Sequence, residues 1–190
     1  FKNSKTFPVL CGLLADRPTR LSQAMHSAGF RAEDLPFEYV AFDTIDTAGA
    51  LTAMRVLGIR GLSLTLPHKE AAIPLIDQAS EDVREIGAVN TVINEDGLLK
   101  GYNTDWIGIR DALIEAKFDP TGKSVLIFGA GGASRAAIVA LKRMKAGPIT
   151  VTNRSAERGK RLAESTGVQF LPIEQISSGA IGMFKLFINS

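Results

Sequence analysis

Short apolar runs alternate along the chain with longer stretches in which apolar residues recur every three or four positions. That is the pattern of strands and helices taken in turn. Residues 8–14 form a first predicted strand, and residues 22–29 a helix that Gly29 closes. The run Phe-Glu-Tyr-Val-Ala-Phe over 37–42 reads as a second strand. Asp46 is suited to cap a helix reaching Leu57, ahead of Gly58. A third strand over 61–66 stops at Pro67, which has no N–H to give to a ladder. Residues 68–86 read as helical, with a break near Ala79 and Ser80. Residues 88–93 and 98–102 flank Asn94-Glu95-Asp96-Gly97, whose Asp-Gly pair is a turn signal, so a hairpin is predicted. A helix over 104–117 carries Asp105 in its first turn.

Phe118-Asp119-Pro120-Thr121-Gly122 then interrupts the pattern and marks the expected boundary between a domain over 1–118 and another over 119–190. Beyond it come a strand over 124–128, a glycine-rich turn, a helix to about Lys145, a strand over 149–152, a helix over 156–165 and a strand over 168–171. This β-α-β-α-β order implies a parallel, right-handed, doubly wound sheet. A complete dinucleotide fold has about six strands. Three are read here, and residues 184–189 are the weakest candidate for a fourth. The expected fold class is therefore α/β: an N-terminal α/β substrate domain with a mostly parallel sheet, then an incomplete Rossmann-type domain, truncated or gapped.

Composition narrows the function classes. At 45% hydrophobic and 22% charged residues, the chain is too apolar to be disordered. A single cysteine excludes an internal disulfide, and no Cys/His spacing suits zinc, so no metal is expected. No apolar run approaches the ~20 residues of a membrane span, and the first ten residues lack the shape of a signal peptide. A cytoplasmic protein is expected. The 22 basic and 20 acidic residues nearly balance and are dispersed, which argues against a nucleic-acid partner.

The chemistry lies in the motifs. Gly129-Ala130-Gly131-Gly132-Ala133-Ser134 ends a predicted strand and opens a helix. Glycines there allow a tight turn and close backbone approach, and the helix start offers free N–H groups to a pyrophosphate. At the end of the next strand, where an acidic residue takes the ribose of NAD, stands Asn153-Arg154-Ser155, with Arg158 following. Without a carboxylate to repel a 2′-phosphate, and with two guanidinium groups to hold it, this place favours NADP over NAD. In the first half, polar groups cluster at predicted strand ends: Ser63 to Lys69, Gly87 to Thr91, Gly101 to Trp106, and Ser22 to His26. A lysine after a strand-ending proline (Lys69) and an aspartate at a helix start (Asp105) form a pair able to move a proton. His26 is expected to pack or cap within its helix, Cys11 to sit as a small apolar residue in the first strand, and Trp106 to pack at the domain junction.

These motifs resemble those of the shikimate dehydrogenase family. The chain carries Thr65, Pro67 and Lys69 of a Thr-x-Pro-x-Lys segment, Gly-Ala-Val-Asn-Thr over 87–91, Asn-Thr-Asp over 103–105, Gly-Ala-Gly-Gly-Ala over 129–133 and Asn-Arg-Ser over 153–155, in the family's order. The resemblance implies an NADP-dependent dehydrogenase that interconverts 3-dehydroshikimate and shikimate, with substrate between the two domains. By position, Lys69 and Asp105 are the implied catalytic pair, and Thr65 and Asn90 the implied contacts of the substrate hydroxyls. The implied cofactor residues are Gly129, Ala130, Gly131, Gly132 and Ala133 for the pyrophosphate, and Asn153, Arg154, Ser155 and Arg158 for the adenosine phosphate.

Two departures bear on the substrate. Where the family holds the substrate carboxylate with two serines, this chain has Arg20 and Ser22, and Ser63 stands where the family usually has asparagine. A relative acting on quinate or aminoshikimate, or a non-catalytic dinucleotide-binding protein, is the alternative. Ile181-Gly182-Met183 resembles the family's loop after its fourth strand. The expected partner is a small hydroxylated ring acid, bound by a monomer or homodimer.

Overall fold

The computed structural model describes residues 7–176 and 178–190. It divides into two compact units, one ending at Asn103 and the other running from Thr104 to Ser190. The first holds β1 (Val9–Ala15), α1 (Arg20–Ala32), β2 (Phe37–Asp43), α2 (Thr47–Val56), β3 (Gly61–Leu64), α3 (His68–Ala71), β4 (Gln78–Ala79), α4 (Glu81–Ile86), β5 (Thr91–Glu95) and β6 (Leu98–Tyr102). Its six-stranded sheet has the order β2-β1-β3-β5-β6-β4. β1 pairs in parallel with β2 and β3, and β4 with β6, whereas β3–β5 and β5–β6 are antiparallel. Because side chains alternate across a strand, adjacent residues of β1 serve opposite layers. Leu13 and Ala15 join Tyr39 against Phe30 of α1. Leu14 joins Leu51, Met54, Leu62, Leu64, Val83, Val92 and Leu99 in the core under α2 and α4.

Local chemistry explains where these elements depart from the expected ones. α1 runs through Gly29 to Ala32, and the left-handed turn falls at Asp34, whose φ is 51°. The predicted helix over 68–86 breaks into α3, a 3₁₀ turn over Ile73–Leu75, β4 and α4. Pro74 cannot continue a helix, since it lacks the N–H and crowds the carbonyl four residues back. Ser80 restarts one by accepting from the N–H of Val83. In the β5–β6 hairpin both central residues have positive φ, 53° at Asp96 and 91° at Gly97, the geometry that matches strand twist.

Asp77 ties this layer together, accepting from Leu99 N–H at 2.7 Å and from Arg55 Nη2 at 2.8 Å. The backbone N–H, and after it the guanidinium, hold its carboxyl below the ordinary value. A depressed carboxylate stabilises the fold above its unfolded pKa, and that contribution is lost as pH falls through the folded value. Asp77→Asn is therefore expected to lower Tm by about 2 °C at pH 7, the deficit closing below pH ~4. A deficit that stays constant from pH 7 to pH 3 in a thermal-melt series would count against this role.

The second unit holds α5 (Asp105–Glu115), β7 (Val125–Phe128), α6 (Gly132–Arg143), β8 (Ile149–Thr152), α7 (Ala156–Thr166), β9 (Gln169–Phe170), α8 (Ser178–Ile181) and β10 (Leu186–Asn189). Its boundary lies ahead of α5 rather than at 118/119, because Ile109 and Leu113 of α5 pack on the core of Val125, Ile127, Ala137, Ile138, Leu141, Val151 and Leu162. The sheet is all parallel, in the order β10-β7-β8-β9. Residues 184–189 thus supply a true fourth strand, β10, in register with β7 from Leu186↔Val125 to Asn189↔Phe128. Ile181, the last residue of α8, and Gly182-Met183 lead into this strand. Among the described residues no helix is long and apolar enough to cross a membrane.

Candidate active site

In open α/β sheets, ligands bind beyond the carboxyl ends of the strands. In the first unit those ends carry Thr65 after β3, Lys69 in α3, and Asn90 just ahead of β5. The backbone ties these segments to one another. Leu64 N–H donates to Asn90 C=O at 2.7 Å, and Val89 N–H donates to Lys69 C=O at 2.7 Å. Asn90 N–H in turn donates to Tyr102 C=O at 3.0 Å. Thr65, Lys69 and Asn90 are thereby brought into one neighbourhood, although 25 positions separate the outer two (90 − 65). The Thr91 hydroxyl donates to Asn90 Oδ1 at 2.9 Å. Asn103, 2% exposed, donates from Nδ2 to Ala88 C=O at 2.9 Å and anchors the 87–91 loop to the end of β6.

Ser22 is half-buried in the first turn of α1, and Arg20, the first residue of that helix, is exposed. His26 packs as expected, its ring stacked 4.2 Å from that of Tyr39. Tyr39 is a neighbour of Ser63 that sequence reasoning assigned only to a strand. Burial pushes its phenol up, and the Ser63 hydroxyl opposes that effect. The alternation over 37–42 does place Tyr39 with Phe37 on one face, yet nothing in that pattern names the residue across the sheet. Burial likewise raises the Cys11 thiol in β1.

In the second unit the strand order reverses between β7 and β10, and the glycine turn stands at the end of β7. Gly129 has φ 120°, a conformation closed to side-chain-bearing residues, and a Cβ there would meet Ser190 O at 2.5 Å. Gly131 caps α6 without a side-chain hydrogen bond, and a Cβ there would meet nothing within 4 Å. The first-turn N–H groups of this twelve-residue helix have no acceptor within the helix and no side-chain cap. Ala133 lies in that first turn, and the Ser134 hydroxyl, fully buried, bonds Ser190 Oγ at 2.5 Å.

At the end of β8, Asn153 Nδ2 donates to Ser155 C=O at 2.9 Å, and Ser155 Oγ caps α7 by accepting from Arg158 N–H. Arg154 and Arg158 are exposed. Thr152 Oγ1 is buried at this strand end without a hydrogen-bond partner among the described residues. The donor set fits a phosphorylated dinucleotide: a helix start without a side-chain cap behind a glycine turn, and two guanidinium groups at the end of β8, where the nearby Glu157 carboxylate is paired with Arg161 at 3.5 Å. Asp105 opens α5 in this second unit. Trp106 lies under the guanidinium groups of Arg110 and Arg143, at 5.2 and 4.2 Å, both in its own unit. Among the described residues no group of three or more His, Cys, Asp or Glu could hold a metal ion.

Fold and site together define a two-unit α/β chain whose second unit has the first four strands of a dinucleotide fold. Comparison with known proteins narrows this. The model of the shikimate dehydrogenase substrate-binding domain matches residues 18–92, and that of shikimate/quinate 5-dehydrogenase matches residues 112–184. Shikimate dehydrogenase (NADP(+)) of Citrifermentans bemidjiense is 43% identical over 181 residues, which cover 90% of this chain and 62% of that protein. The shikimate dehydrogenase structure from Aquifex aeolicus superposes with a TM-score of 0.87 at 33% identity, covering all of this chain and 70% of that one. The Thermus thermophilus structure in complex with NADP(H) and shikimate gives 0.81 at 35% identity, covering 96% and 68%. The chain belongs to the shikimate dehydrogenase family. It spans 62% of the length of the C. bemidjiense relative.

Proposed function

We propose that this protein is an NADP-dependent oxidoreductase that interconverts 3-dehydroshikimate and shikimate by hydride transfer. The observation that carries the reading is the backbone linkage of the segments bearing Thr65, Lys69 and Asn90, which supports a shared role for a cation, a hydroxyl and an amide. A protein that only bound a dinucleotide has no need of that group. The relative from Thermus thermophilus, seen with NADP(H) and shikimate, supports the substrate and cofactor assignment.

In this reading Thr65 and Asn90 hold ring hydroxyls, Asn90 through its amide N–H. Lys69 and Asp105 take the proton from the reacting hydroxyl oxygen as the carbonyl forms, and return it to that oxygen in the reverse direction. Bound NADP supplies the acceptor or donor of the hydride at the same carbon. The α6 start with Gly129, Ala130, Gly131, Gly132 and Ala133 receives the pyrophosphate. Asn153, Arg154, Ser155 and Arg158 take the adenosine end, the two arginines by charge-assisted bonds to the 2′-phosphate. The protein acts in the cytoplasm as a monomer or homodimer, with a substrate domain ahead of a cofactor domain.

Arg20 and Ser22 hold the substrate carboxylate, Arg20 through two parallel hydrogen bonds from a side chain longer than serine, which displaces the bound acid and weakens the fit to shikimate. The full-length protein is expected to reduce NADP+ with shikimate as substrate, and no turnover with shikimate, quinate or aminoshikimate would refute the function. Arg20→Ser is expected to change the ratio of kcat/KM between shikimate and quinate by about threefold or more, in favour of shikimate, a fraction of the effect of a charge-assisted bond. An unchanged ratio places Arg20 outside the site.

A further inference from the structure

His68 is the residue before Lys69, yet its side chain belongs to the interior: it is 0% exposed. Both ring nitrogens are engaged across the chain. Nε2 stands 2.9 Å from Thr44 C=O, and Nδ1 stands 2.8 Å from Thr47 Oγ1. A carbonyl oxygen only accepts, so Nε2 carries the hydrogen, and in the neutral ring Nδ1 accepts from the Thr47 hydroxyl. Thr47, itself only 7% exposed, opens α2, and Thr44 lies in the β2–α2 loop. One imidazole therefore fastens the start of α3 to the start of α2, more than 20 residues away in sequence.

The length of α3 makes that fastening matter. It has four residues, and helices shorter than about 12 residues do not hold themselves in water. Successive residues of a helix point about 100° apart, so a small roll of this single turn would redirect Lys69. The backbone restrains it from one side, through His68 N–H to Thr65 C=O at 2.8 Å and Val89 N–H to Lys69 C=O at 2.7 Å. The His68 ring restrains it from the other, inside a core layer that includes Ala72 of the same segment.

We propose that His68 is a positioning residue for the reaction: its paired hydrogen bonds to Thr44 and Thr47 set the roll of α3 and so the direction of the Lys69 ammonium. The inference rests on the reading of Lys69 as the proton-transfer group. The histidine touches neither substrate nor cofactor. It acts by fixing where its neighbour points, and a misplacement of about 1 Å at a reacting group can cost on the order of 10²-fold in rate.

The test is a double-mutant cycle in the full-length protein. His68→Phe keeps an aromatic ring, slightly larger than imidazole, but cannot bond either partner, and is expected to lower kcat about 10- to 100-fold with KM for NADP+ nearly unchanged. His68→Gln, whose amide nitrogen can stand in for Nε2, is expected to recover kcat to within about threefold of wild type. In a Lys69→Ala background, His68→Phe should produce no further loss. If His68→Phe fails to fold, Thr47→Val removes the hydroxyl at Nδ1 alone, and is expected to lower kcat about 3- to 10-fold, again only when Lys69 is present. Wild-type kcat in His68→Phe or, failing that, in Thr47→Val overturns the proposal. So does a loss of the same size in both backgrounds, which would mark a merely structural role. Near-wild-type kcat in Lys69→Ala alone overturns the catalytic reading and the positioning role with it, and is thereby distinguished from the other two results.

Discussion

Lys69→Ala and Asp105→Asn are each expected to lower kcat by about 10²–10⁴-fold, the usual contribution of a positioned acid–base group. The loss should fall on the chemical step. NADP affinity is expected to stay within about twofold, because the residues proposed for the nucleotide lie on the glycine turn and the β8 end, apart in sequence from both side chains. Asp105→Asn preserves shape and one acceptor oxygen but removes the charge, so it separates proton transfer from simple hydrogen bonding. Lys69 and Asp105 belong to different compact units of the chain, so both variants are measured in the full-length protein. Single-turnover hydride transfer, followed by the absorbance of NADPH, is the measurement. Either variant retaining more than about a third of wild-type kcat removes that residue from the mechanism.

Arg154→Asp is expected to weaken NADP binding at least about tenfold and to leave NAD binding almost as it was. A hydrogen bond to a charged group contributes roughly 1.5–3 kcal/mol, or about 10- to 150-fold in affinity. Arg154 is exposed, so screening by water and salt favours the lower end of that range. The aspartate adds repulsion against the 2′-phosphate and can accept from ribose hydroxyls, which shifts preference toward NAD. Titration of both nucleotides against the two proteins decides it, and equal NADP affinity before and after would refute the assignment. Arg158 is expected to show a smaller effect of the same sign, since its own N–H already engages the Ser155 cap and fixes its backbone.

Much of the site was legible because its chemistry is short-range. Gly129 through Ala133 are adjacent, and the backbone freedom they confer is a property of each residue. Asn153-Arg154-Ser155 is likewise local, and its internal bonds, Asn153 to Ser155 and Ser155 to Arg158, span two and three residues. His68 was not legible. By sequence it belongs only to the polar cluster from Ser63 to Lys69 at a strand end. Its burial follows from Thr44 and Thr47, which reach it only after β2 and β3 have taken their places in the sheet. The same holds for β10. Phe184 to Asn189 carries no stronger strand pattern than many loops, and it becomes a strand because β7 offers it a parallel edge.

The amino-acid sequence by itself determined the α/β class, the strand–glycine–helix turn, the Asp96-Gly97 hairpin and the identity of the polar residues at strand ends. Each of these depends on dihedral preference, periodicity or side-chain chemistry within a few residues. Only the tertiary structure decided which of those polar residues meet. Thr65, Lys69 and Asn90 become neighbours through Leu64–Asn90 and Val89–Lys69 backbone bonds. Those bonds require β3 and β5 to pair in antiparallel register, Gly61 opposite Ile93. The unit boundary was decided in the same way. Phe118 to Gly122 looks like a linker, but Ile109 and Leu113 bury their side chains against the core of the second unit, so α5 belongs there. Long-range pairing and burial are set by the free energy of the whole core, to which no window of the sequence has access.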